Sequence, residues 1–256
     1  MGYYLAKQNL YQVGEETFNP GLSKMGFQYN KSHKNWYRVI DNKIIQFIGL
    51  KRRSGGVYDL EFACQPISMP LCMGWFFDNN GAVPCFRRFD ADVRLDYMAE
   101  LSLIDESVYP RIGGWFKDDP SDVRKHMSMT FENIVRPVLE RAVTVEGCYD
   151  EYLDYRKLCE LSPKNLLRTE RVRKSAQLID DFEIMCLLEM KRYDVLLQEL
   201  RKSREICKEY DIRGSFEKYA GLIEHNNIEA IDFILEDRYY RNIEILVNSG
   251  FTWRRV

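Results

Sequence analysis

The strongest constraint on what this chain can fold into is a repeat with a spacing of 35 residues near its C-terminus (228 against 193). Leu187-Leu188-Glu189 aligns with Leu222-Ile223-Glu224, Tyr193-Asp194-Val195-Leu196 with Ile228-Glu229-Ala230-Ile231, and Leu200 with Leu235. In each copy an apolar-periodic stretch meets a short polar break, Lys191-Arg192 or Asn226-Asn227. An apolar residue, an acid and a second amphipathic stretch follow. A unit of that form is a helical hairpin, which cannot bury its apolar side alone and needs neighbours. The two units cover about residues 182–250, and 150–178 reads as a less regular helical lead-in. Two units are fewer than free-standing solenoids need, so the helices are expected to lean on the rest of the chain.

The N-terminal part carries a different period. The first 25 residues lack β alternation and read as helix, interrupted at Asn19-Pro20-Gly21 and ending at Met25 before Gly26. Trp36 to Ile40, the turn residues Asp41-Asn42, and Ile44 to Leu50 read as a β-hairpin. Val57 to Cys64 alternates, with Tyr58, Leu60, Phe62 and Cys64 on one side and Asp59 and Glu61 on the other, predicting a strand with one wet face. Leu71–Phe77, Val83–Phe89 and Ile112–Phe116 read as further strands, Pro84 requiring an edge or a strand start. Helix begins at Asp119-Pro120-Ser121-Asp122 and runs through Phe131 to Val143, with a kink or fresh start at Pro137. The expected fold is therefore α+β: an antiparallel sheet with flanking helices over residues 1–148, followed by an all-α helical-hairpin region over 149–256.

Composition narrows the function classes. Thirty-seven Lys and Arg against 39 Asp and Glu leave a net charge of −2, so no global field draws the chain to nucleic acid or anionic membrane. Seven cysteines without a Cys-x-x-Cys pair disfavour structural zinc and a disulfide framework. The start of the chain lacks a signal-peptide run and no stretch has the length of a membrane span, so the expected location is cytoplasmic, with no membrane partner. No cofactor is expected.

Two resemblances follow from these landmarks. Leu22-x-x-Met25-Gly26-Phe27, Trp36-Tyr37-Arg38, Ile44 to Leu50, the alternating strand after Gly55-Gly56, Arg111-Ile112-Gly113 and the run Ile134 to Glu140 resemble the bacterial family called domain of unknown function 4304, over roughly residues 1–160. That resemblance implies a fold and carries no catalytic residues. The hairpin units resemble tetratricopeptide-type repeats, although the small residue expected at Val195 is missing.

Candidate chemistry is sparse, and no catalytic, metal-binding or ligand-binding residue is assigned. Asp90-Ala91-Asp92 matches a cation-holding Asp-x-Asp pattern, and Asp122 and His126 would share a helix face. An acidic surface and a solvated helix pair are the favoured readings. Arg52-Arg53 and Arg87-Arg88, beside an exposed Trp36 or Trp75, would grip single-stranded nucleic acid if the sheet brought them together. Arg168, Arg171, Arg173 and Lys174 read as the wet face of a helix. The expectation is a non-catalytic protein-binding protein, adaptor or immunity-like, using the helical repeat or the sheet surface. The alternatives are an enzyme built on Asp90, Asp92 and His126, or a nucleic-acid binder.

Overall fold

The structure is a computed structural model that describes residues 7–31, 34–52, 58–69, 72–73, 84–85, 88–90, 98, 103, 120–162, 167–212, 216–225, 227–248 and 250–251. Helix α1 spans Lys7–Lys24 and runs unbroken through Pro20, so the expected interruption does not occur. Proline in a helix interior costs about 3 kcal/mol. Offsetting that, Phe18 and Leu22 on either side of it are fully buried, and the Trp36 indole N–H donates to Asn19 Oδ1 at 2.5 Å. The helix stops as expected: Gly26 takes φ +83, its N–H donates to the Ser23 carbonyl, and the Phe27 N–H donates to the Leu22 carbonyl.

Strands β1 (Gln28–Asn30), β2 (Asn35–Ile40), β3 (Ile44–Arg52) and β4 (Tyr58–Pro66) follow in antiparallel order. Asp41 and Asn42 turn the β2–β3 hairpin with positive φ values of 48 and 54, a conformation Asp and Asn tolerate better than most residues. A small hairpin of β5 (Cys72–Met73) and β6 (Pro84–Cys85) puts Pro84 at its expected strand start, and β7 (Arg88–Asp90) closes the main sheet beside β4. Residues 74–83, the expected strand at 112–116 and the Asp119 cap lie outside the described residues.

Helix α2 (Pro120–Thr130) leads into a π turn, Phe131–Val135, and then α3 (Arg136–Arg141). The kink expected at Pro137 takes this form because the π turn resets the helix just ahead of it. Pro137 then sits in the first turn of α3, where no intrahelical donor is required. Helix α4 spans Val145–Leu161, capped by Thr144 Oγ1 accepting from the Gly147 N–H at 3.0 Å. These helices and α1 cover one face of the sheet, joining Trp36, Ile48 and Phe62 to Phe18, Phe131, Val135 and Leu139 in the main core. Polar bonds fix the docking: Gln46 Nε2 donates to the Leu139 and Ala142 carbonyls at 2.8 Å, and Arg38 donates to Gln46, Met25 and Leu139. Burial lowers the Arg38 guanidinium below its usual value, with Glu140 pulling the other way.

The C-terminal region holds α5 (Glu170–Ser175), α6 (Asp181–Glu189), α7 (Tyr193–Tyr210), α8 (Glu217–Glu224) and α9 (Ile228–Asn248). The repeat is written into the backbone hydrogen bonds. Arg192 N donates to Leu187 O and Asn227 N to Leu222 O, both at 2.9 Å; Met190 N donates to Cys186 O and His225 N to Gly221 O. Each pair is one repeat apart. Arg204 of α7 clasps Glu217 and Glu224 of α8, tying the two hairpins together.

The second face of the sheet is not wet. Tyr37, Phe47, Ala63 and Ile67 on that face meet Leu246 of α9 and Phe251 just beyond it, and Glu61 is fully buried. Phe251 stands edge-on to Tyr37 and Phe47, with centroids 4.7 and 5.4 Å away. Asn242 of α9 donates to the carbonyls of Ile67 and Met69. Alternation predicts which residues share a face; it carries no information about a helix that arrives from far along the chain to cover one.

Candidate functional site

Helix α6 is the hub on which the candidate site rests. Seven of its residues, Phe182 to Leu188, are buried, as a helix surrounded on all sides must be. Asp180 caps it, accepting from Phe182 N at 2.9 Å and Glu183 N at 3.2 Å, while Glu183 reaches back to the Asp180 N–H. Glu183 also pairs with Arg156 of α4, and the Tyr152 hydroxyl donates to Asp180. Burial pushes the Glu183 carboxyl up to about 7, against the pull of Arg156.

Arg156 forms one wall of a groove between the C-terminal half of α4 and α5. The groove encloses about 530 Å3, and Arg168, Arg173, Lys174, Cys159 and Val172 are among its lining residues. Four cations line it against two carboxylates, Glu160 and Glu170. Those acids are engaged: Glu160 lies 3.5 Å from Arg156, and Glu170 accepts from the Tyr210 hydroxyl at 3.1 Å. Arg171 donates to the Asp211 carbonyl at 2.7 Å and Lys174 lies over the Tyr210 ring, so α5 is pinned to the end of α7. The excess charge left at the groove is positive.

Apolar side chains stand beside these cations. Leu167 is 88% exposed, and Leu161 and Val172 are exposed as well. Reading Arg168 to Lys174 as a solvated face is right about exposure, yet it misses the leucines and the concavity. Leu161 and Val172 read as helical lead-in, and only the approach of α5 to α4 puts both on the wall of one groove.

The other sequence candidates are dispersed. Asp90 lies in β7 opposite Glu61 of β4, His126 lies in α2, and Asp92 falls outside the described residues. Trp36, expected as an exposed stacking platform, is buried, packed edge-on against Phe18 at 5.5 Å. Arg52 pairs with Tyr58, and Arg88 pairs with Ala63 across the other edge of β4, so the two basic positions are separated by roughly 17 Å along the strand. Arg53, Arg87 and Trp75 lie outside the described residues. Among the described residues no group of three or more His, Cys, Asp or Glu side chains is placed to hold a metal ion, and no helix is long and apolar enough to cross a membrane. Comparison with protein-family models, curated proteins and solved structures finds no match to the chain.

Proposed function

We propose that the chain is a non-catalytic protein-binding protein, adaptor- or immunity-like in role, and that the α4–α5 groove is its docking surface. The observation that carries this reading is the pair of exposed apolar side chains Leu161 and Val172 set among Arg168, Arg173 and Lys174 around a cavity of about 530 Å3, with the exposed Leu167 next to Arg168 in the chain. Clustered exposed apolar side chains on a folded surface mark interaction sites. Surplus positive charge around them selects an acidic partner, and a groove between helices suits an amphipathic helix laid into it.

Magnitudes set what to expect. Burying three such side chains is worth about 1.5–3 kcal/mol each, while association costs on the order of 4–15 kcal/mol. Apolar contact alone therefore leaves little surplus. The charges must contribute, and binding must be salt-sensitive.

A random helical-peptide display library panned on the full chain tests this. The expected enrichment is in peptides with acidic residues around apolar ones, lost with Arg168→Glu/Arg173→Glu and weakened by high salt. Enrichment of no class, or of peptides indifferent to that variant, removes the reading.

A further inference from the structure

We infer that the partner taken by this groove is a second copy of the chain, whose outer α9 face docks there head to tail; the inference rests on the groove being a binding surface. Helix α9 is two-sided. Ile231, Asn242 and Leu246 face α8 and the sheet and are buried. On the opposite side Phe233 is 70% exposed and Tyr240 is 61% exposed, and Val247 is exposed too. These three are spaced seven residues apart, so each lies two turns from the next with only about 20° of drift, in one stripe.

Carboxylates flank that stripe. Glu229, Glu236, Asp237 and Glu244 fall within about a sixth of a turn of its centre line, at 100° per residue, and the first, second and fourth are exposed. Arg241 nearby is tied to Asp237 at 3.0 Å. The chain thus displays an acidic apolar helix face and, separately, a basic apolar groove. Both are open to solvent within one molecule, so neither satisfies the other.

The repeat gives this exposed face a geometric role. In a stack of helical hairpins each unit covers the apolar side of the one before, and α9 is the last helix of the second unit. The side of α9 on which a further hairpin would stack is the side that carries the exposed Phe233, Tyr240 and Val247. Symmetric pairing of α9 with α9 would set four carboxylates against four. The groove offers the opposite sign, so the contact is between two different surfaces, which propagates as a ring or an open filament.

Sedimentation velocity on the full chain, from low micromolar to several hundred micromolar, tests the inference with two double variants. Phe233→Glu/Tyr240→Glu removes the helix face, and Arg168→Glu/Arg173→Glu reverses the groove. The wild type is expected to grow in mass with concentration and to dissociate in high salt. Each variant alone is expected to be monomeric, with wild-type circular dichroism and melting. Mixed in equal amounts, the two must form a one-to-one dimer and nothing larger, because the mixture retains a single intact contact. Association surviving in either variant within tenfold of wild type overturns the inference, as does failure of the mixture to dimerise. Loss in the helix-face variant alone points instead to symmetric α9 pairing. A wild type that stays monomeric while its groove still selects acidic peptides sinks only the self-partner. If the groove selects nothing either, the binding role falls with it.

Discussion

The two hairpins of the C-terminal region carry the same local code and meet different surroundings. Leu187 and Leu222 accept the same cap hydrogen bond from residues 192 and 227. Yet Leu187 is fully buried and Leu222 only partly so, as are Leu200 and Leu235 in the second helix of each unit. The first hairpin lies between α4, α5 and the second hairpin; the second leaves Phe233, Tyr240 and Val247 of α9 exposed among the described residues. Local hydrogen bonding decides where helices start and stop, and position in the stack decides which apolar faces remain for a partner.

The largest effect that tests this contrast is on stability. Leu187→Ala should cost about 2–5 kcal/mol, in the range of core leucine truncations. Leu222→Ala should cost about half as much or less, both read from urea midpoints. Equal costs would mean that the two hairpins are equivalent and the contrast is empty.

Protonation of Glu183 gives the next effect, on the first hairpin alone. Its carboxyl is raised by burial from 4.5 to about 7 in the folded chain. Below about 4.5 it is protonated in both states; between the two values only the native state keeps the proton. Stability from this group is therefore complete at the acid end and is lost as pH rises through 7, by up to about 3 kcal/mol in all. Glu183→Gln should flatten the slope of unfolding free energy between pH 5 and 7.5, and an unchanged slope would place the titration elsewhere.

A smaller loss is expected at Gly147, where α4 starts against the end of α3. A Cβ there would lie 2.2 Å from the Arg141 carbonyl oxygen, a backbone atom that cannot swing away. Gly147→Ala should cost about 1–3 kcal/mol, as overpacking does, and a neutral result by thermal melting would show that α3 and α4 shift freely. Smallest of all, Phe233→Ser on the bare flank should change stability by no more than about 0.5 kcal/mol, as for other surface positions. A loss as large as that of Leu222→Ala would mean that the α9 face is already covered within one chain.

Much of the architecture is legible in the sequence, for local reasons. Asp41-Asn42 declares the β2–β3 turn because few other residues accept positive φ there, and Gly26 ends α1 for the same reason. The 35-residue offset is visible because the caps recur at Leu187 and Leu222. What escapes is long-range. Pro20 signals a break that buried Phe18 and Leu22 overrule, and Glu61 reads as wet although it is buried on a face where Phe47 and Ala63 meet Leu246 and Phe251. Trp36 reads equally well as platform or core. The groove is the clearest case, since Leu161 and Val172 become neighbours only when α5 folds back beside α4.

Hydrogen exchange on the full chain, with and without an acidic amphipathic peptide selected on it, tests the binding surface most directly. At a chain concentration too low for self-association, the expected result is slowed exchange confined to residues 156–177, with the sheet and residues 228–248 unchanged. Protection falling on the sheet or on α9, with 156–177 unaffected, would contradict the assignment of the groove.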